Sequence, residues 1–99
     1  MTVKATITLK NRLGMHARPA MLLYDLVKQF NSRVILRNNN QIEAEADSVI
    51  AMLMLDSEQG SKIDIEVSGP DENQALSAII NLFENRFDEE YLISLMKSS

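Results

Sequence analysis

The chain contains a single histidine, His16, set in the stretch Gly14-Met15-His16-Ala17-Arg18-Pro19-Ala20. Proline is tolerated in the first turn of a helix, where its missing N–H has no intrahelical acceptor to lose. This spacing predicts a helix that opens just after His16, with the imidazole at or beside the N-cap and next to the free amides of Ala17 and Arg18. A helix mouth of this kind favours anions, because unpaired N–H groups and the helix dipole both present positive potential. Arg18 would add charge-assisted hydrogen bonds to a phosphate. The same potential disfavours imidazolium and favours a neutral, nucleophilic ring. Residues 1–24 contain no carboxylate, so no sequence neighbour offers a general base to activate water. A phosphoryl group on His16 would then be held without rapid hydrolysis, which is carrier chemistry more than hydrolase chemistry. A lone histidine near a helix start is more often an ordinary surface residue. Here the combination of Gly14, His16, Arg18 and Pro19 in an acid-free region points to function.

Residues on both sides must position this helix. Val3, Ala5, Ile7 and Leu9 alternate with polar residues, the period of a half-buried strand, and Asn11 to Gly14 break that pattern. Residues 17–30 carry Ala20, Leu23, Tyr24, Val27 and Phe30 on one helical stripe. A second strand is expected over Arg33 to Arg37, a turn at Asn38 to Asn40, and a short third strand through Ile42, Ala44 and Ala46. Ser48 is placed to cap a brief helix running to Leu55. Ile63, Ile65 and Val67 alternate in a fourth strand, and Gly69-Pro70 forms a turn with Pro70 opening the next helix. That helix is the clearest in the chain, with Leu76, Ile79, Ile80 and Phe83 at i, i+3, i+4 and i+7. The order β-α-β-β-α-β-α predicts a two-layer α/β sandwich. The expected division is one domain over 1–87 and an extension of undefined structure over 88–99.

Ninety-nine residues suffice for one core and not for two. With 45% hydrophobic and 24% charged residues the chain is an ordinary globular one. It has no cysteine, so disulfides, thiol chemistry and cysteine-based metal sites are excluded, and one histidine argues against an imidazole-based metal site. Neither a metal nor any other cofactor is expected. The longest apolar run, Val49 to Leu55, is far short of the ~20 residues that span a bilayer. No secretion signal is visible, and the expected compartment is the cytoplasm, with no membrane association. Charge is split along the chain: residues 1–37 carry a net +6 and residues 38–99 a net −10. That asymmetry suggests an anionic partner for the N-terminal part, while a pI near 4.9 argues against nucleic acid.

The stretch from Gly14 to Ala20 resembles the active-site motif of the HPr phosphocarriers of the bacterial phosphotransferase system, and the similarity runs from Val3 to Phe87. Leu36-Arg37-Asn38, Glu43-Ala44-Glu45-Ala46, Ser48-Val49-Ile50-Ala51 and Met54-Leu55-Asp56-Ser57 are most similar to the NPr group of the nitrogen-related branch. The resemblance implies an open-faced sandwich whose four-stranded antiparallel sheet, in the order 1-4-2-3, is covered on one face by three helices. The element order alone fits a ferredoxin-like arrangement equally. The resemblance further implies that His16 accepts a phosphoryl group on Nδ1 from an enzyme I-type, phosphoenolpyruvate-dependent donor and passes it to an enzyme IIA-type acceptor. Arg18 matches the arginine that neutralises the phosphate. Met21, Val49, Ile50 and Leu53 match a shared partner surface, and seven consecutive apolar residues on a short helix cannot all face inward. Ser48 matches a serine that is phosphorylated for regulation in some relatives, although helix capping is the favoured explanation for it here. Asp25 stands where sugar-branch members often carry lysine, a reversal that would change partner preference. A monomer is expected.

Three other readings fit the same sequence. A sugar-branch HPr would differ in partners and not in chemistry. A small βαββαβ ligand- or RNA-binding domain is opposed by the acidic pI and the scarcity of aromatics on strands. An acylphosphatase-like hydrolase would release phosphate on turnover, whereas a carrier is modified once and regenerated, so the chain is not a turnover enzyme by itself.

Overall fold

The alternation Ile63-Asp64-Ile65-Glu66-Val67 builds the central strand of the sheet, because its three apolar side chains are fully buried and its two acids point the other way. The computed structural model describes residues 2–88, so the expected extension lies outside the described residues beyond its first position. In chain order the elements are β1 Thr2–Thr8, α1 Ala17–Val27, β2 Arg33–Arg37, β3 Glu43–Glu45, α2 Val49–Leu53, β4 Lys62–Ser68 and α3 Glu72–Glu84, followed by a short turn over Arg86–Asp88. The sheet order is β1-β4-β2-β3 with every pair antiparallel. This is the open-faced sandwich that the resemblance implied. It excludes the ferredoxin-like order, because β4 separates β1 from β2.

Register follows from what each face can tolerate, since a slip of one residue would exchange the two faces of a strand. On the covered face Ile7 pairs with Ile63, Leu36 with Ile65, and Val34 with Val67. Against them pack Ala20, Leu23 and Val27 of α1, Met52 of α2, and Ala75, Ile79 and Phe83 of α3. Phe87 closes the end of the core edge-to-face on Phe83, with ring centroids 4.8 Å apart. On the open face charges pair across strands: Lys4 with Glu66 at 3.2 Å, Arg33 with Glu45, and Arg37 with Glu43. Thr6 donates to Asp64 at 2.7 Å in the same row. Exposed pairs of this kind contribute at most about 1 kcal/mol each, but burying any of them after a slip would cost far more.

The helices are shorter than the apolar periodicity predicts. α1 stops at Val27, and the chain tightens so that Gln29 and Phe30 donate only three residues back, to Leu26 and Val27. α2 ends at Leu53, and the expected continuation to Leu55 is a series of tight turns that delivers Asp56 at φ +45°. α3 begins at Glu72, two residues later than the expected start at Pro70. The reason is that Asp71, the N-cap, does not cap α3 with its side chain. Its carboxylate instead accepts the Asn31 amide at 2.9 and 3.1 Å and the Ser32 hydroxyl at 2.5 Å, fastening the α1–β2 loop to the start of α3. Ser48 does cap α2 as expected, accepting the Ala51 amide at 3.2 Å.

Two outcomes test these local contacts. Ser48→Ala should destabilise the fold by roughly 1 kcal/mol in urea unfolding, the usual loss for a helix cap. The hydrogen bonds from Ser32 and then Asn31 hold the Asp71 carboxyl below its ordinary value of 3.8. The carboxylate is therefore the form the fold favours, and its contribution is present above that value and lost as pH falls through the lower folded one. The stability gap between the wild type and Asp71→Ala should be constant from neutral pH down to 3.8 and shrink below it. A gap that widens with acid would contradict this sign.

Candidate functional site

The geometry around His16 begins with the turn that precedes it. The Gly14 amide donates to the Asn11 carbonyl at 3.2 Å, and the buried Asn11 side chain donates back to the Gly14 carbonyl at 2.6 Å. Gly14 has φ +67°, and a Cβ there would lie 2.3 Å from the Ser57 carbonyl oxygen. Only glycine meets both requirements. The next amide, Met15, donates to that same Ser57 oxygen at 2.8 Å. On the other side Leu9 exchanges bonds with the facing loop: its amide donates to Ser61 and its carbonyl accepts from Gly60, both at 2.8 Å. The Gln59 side chain adds a bond to the Lys10 carbonyl at 3.0 Å. The segment before His16 is thus held on both edges by residues 57–61.

His16 is the N-cap of α1, with extended backbone at φ −124° and ψ −171° and no capping hydrogen bond from its side chain. Its carbonyl starts the helix by accepting the Ala20 amide at 3.1 Å. Ala17 and Arg18 are the first two helical residues and Pro19 the third, so the amides of Ala17 and Arg18 have no helical acceptor one turn back. Pro19 is buried and has no N–H to satisfy. The imidazole is half-buried, with Nε2 shut away from solvent. Arg18 is exposed and, with Ala17, Met21, Leu22 and Asp25, lines an open hollow of about 400 Å³ along α1.

The structure revises the reading of charge. Lys4, Lys10, Lys28, Arg33 and Arg37 are paired with Glu66, Glu84, Asp25, Glu45 and Glu43 respectively. Most of the positive charge of residues 1–37 is thereby matched inside the molecule. Among the described residues Arg18 is in no ion pair, and it sits at the helix mouth. The acid-free character of residues 1–24 is likewise a property of the chain and not of the space around it. The turn that grips Gly14 and Met15 carries the exposed acids Asp56 and Glu58 on either side of Ser57.

Of the expected surface residues, Met21, Ile50 and Leu53 are 56%, 75% and 36% exposed, on two helices that pack together. Val49 is half-buried against the core, and Met52 and Leu55 face inward, which divides the apolar run between the two sides. Leu13 and Met54, 70% and 68% exposed, are large apolar residues that the sequence reading did not single out. Leu13 lay inside the break from Asn11 to Gly14, and Met54 inside a run whose outward positions only the helix phase could identify. Among the described residues no cluster of three or more histidine or acidic side chains could hold a metal, and no helix is long and apolar enough to cross a membrane.

Fold and site together define a small open-faced α/β sandwich that presents one imidazole at an anion-favouring helix mouth. A family model described as the PTS HPr component phosphorylation site matches residues 3–85. The chain belongs to the HPr family, the phosphocarriers of the phosphotransferase system. The phosphocarrier protein NPr of Proteus mirabilis is 67% identical over 90 residues, spanning 91% of this chain and 100% of that protein. The NPr of Escherichia coli K12 is 56% identical over 90 residues with the same coverage. Among solved structures, an HPr from Thermoanaerobacter tengcongensis aligns with a TM-score of 0.82 at 32% identity, covering 88% of this chain and 97% of that one.

Gly14→Ala tests the constraint beside the histidine. A left-handed residue with a Cβ costs about 1–2 kcal/mol, and the contact with Ser57 adds to it. We expect a loss of stability at least that large in denaturant unfolding, together with displaced Met15 and His16 amide resonances.

Proposed function

We propose that the protein relays a phosphoryl group within the nitrogen-related phosphotransferase system, accepting it on His16 Nδ1 from an enzyme I-type donor and passing it to an enzyme IIA-type acceptor. The observation that carries this reading is the half-buried imidazole at the N-cap of α1, beside the amides of Ala17 and Arg18 that have no helical acceptor one turn back. The Nδ1 lone pair forms the new P–N bond while the donor's bond to phosphorus breaks and the donor atom keeps that electron pair. Transfer to the acceptor repeats the exchange with the roles reversed. The amides of Ala17 and Arg18 and the Arg18 guanidinium receive the phosphoryl oxygens, whose charge the helix mouth favours.

Met21, Ile50 and Leu53, with Val49 at the edge of the core, form the face on which donor and acceptor dock in turn. A flexible methionine suits a surface that must fit two different partners. Such a face has to stay uncovered, which supports a monomer; the proposed compartment is the cytoplasm. Capping accounts for Ser48, whose hydroxyl is engaged with the Ala51 amide. The placement in the nitrogen branch rests on the relatives named NPr and on Asp25, an exposed acid on the α1 face beside Arg18 and Met21.

Mass spectrometry after incubation with phosphoenolpyruvate, Mg²⁺ and each enzyme I type separately tests the proposal. We expect one acid-labile phosphoryl group, absent in His16→Ala, with faster modification by the nitrogen-branch donor. Arg18→Ala should slow acceptance by about 10- to 100-fold, corresponding to one or two charge-assisted hydrogen bonds. Faster modification by the sugar-branch donor would reassign the branch. No modification by either would overturn the carrier.

A further inference from the structure

Asn38 lies at the opposite end of β2 from the α1 loop and belongs to none of the elements that form the helix mouth, yet both the oxygen and the nitrogen of its side-chain amide are engaged. It is 6% exposed. Its Oδ1 accepts the amides of Asn40 and Ile42 at 2.9 and 3.0 Å, which shapes the turn between β2 and β3. Its Nδ2 leaves that turn and donates to the Leu55 carbonyl at 2.8 Å, just past the end of α2. The Leu55 carbonyl also accepts the Ser57 hydroxyl at 3.2 Å. Between the two stands Asp56, held at φ +45° without being a glycine, a conformation that persists only where its surroundings impose it. After Asp56 comes Ser57, whose carbonyl accepts the Met15 amide and closes on Gly14.

These contacts form a continuous path from Asn38 through Leu55, the left-handed Asp56 and Ser57 to Met15, the neighbour of His16. We propose that Asn38 is a positioning residue for phosphoryl transfer, fixing the imidazole through the Leu55–Ser57 turn. This rests on His16 being the acceptor. Asn38 fits the task because one amide group supplies both an acceptor pair for the β2–β3 turn and a donor for Leu55. A carboxylate keeps the first function and loses the second. Without the donor, the left-handed Asp56 can relax, and the Ser57 carbonyl moves with it. Transfer depends steeply on the placement of the attacking atom, so small displacements of the ring reduce the rate without touching the docking face.

The test compares Asn38→Asp and Ser57→Ala with the wild type, using Asp71→Ala as a variant destabilised at a distant contact. The rate of phosphoryl acceptance is measured against carrier concentration, alongside urea unfolding and the His16 ring resonances of the unphosphorylated protein. We expect Asn38→Asp to lower kcat by about ten-fold with KM nearly unchanged and to shift the His16 ring resonances. Ser57→Ala should do the same to a smaller degree, and Asp71→Ala should do neither. Lower stability with unchanged kcat and unmoved His16 resonances in both site variants would make Asn38 a purely structural residue and overturn the proposal. A rise in KM alone would do so too, by assigning the effect to docking. If the wild type itself takes up no phosphoryl group, it is the carrier reading that fails, and the resonance comparison still reports whether Asn38 places the ring.

Discussion

The site depends on a backbone contact at which the Ser57 carbonyl accepts the Met15 amide at 2.8 Å and leaves no room for a side chain on Gly14. A helix mouth is a general anion-favouring feature, but it becomes a specific site only when a reactive group is fixed relative to it. Here the loop carrying His16 is held from outside as well as from within. It makes a turn closed by Asn11 and is otherwise held by residues 57–61 through Met15, Leu9 and Lys10. Those residues in turn are set by the end of α2 and the β2–β3 turn. The placement of one imidazole is therefore distributed over segments more than forty positions apart in the chain.

Electrostatics follow the same division between local pattern and assembled structure. Along the chain the positive charge of the first third looks like a surface meant for an anion. In the fold, lysines and arginines face glutamates across the open side of the sheet, and Lys10 reaches Glu84 on α3. Pairing at the surface contributes little stability, yet it removes a broad positive field. What remains concentrated at the helix mouth is Arg18 with the amides of Ala17 and Arg18, a local potential suited to one phosphoryl group and not to a polyanion. This accords with an acidic protein that receives a small anion from other proteins.

Apart from α2, the strands and helices were legible because each carries a clean period. β2 falls where the sequence places it, and β4 is recognisable from Ile63, Ile65 and Val67. The start of α1 was legible through Pro19, since few other positions accept proline, and Ser48 through its side-chain chemistry. Helix ends were less so. The apolar pattern continues to Phe30 and Leu55, and the helices stop earlier because the chain tightens into turns required by the next element. Pro70 suggested a helix start that Asp71 overrides by bonding to Asn31 and Ser32, a contact forty residues away in sequence.

The sequence by itself determined the elements, the histidine and arginine at the mouth of α1, and the family, because these rest on residue type and spacing over a few neighbours. The tertiary structure alone decided three things. It chose the β1-β4-β2-β3 order over the ferredoxin-like one, which the same element order allows. It settled which members of the run Val49 to Leu55 face outward, since a helix of five residues leaves its phase to the packing of Met52 and Leu55. And it brought Asp56, Ser57 and Asn38 into the support of His16. No local pattern encodes that last arrangement, because hydrogen bonds to carbonyls depend on where the backbone passes and not on which side chain it carries there.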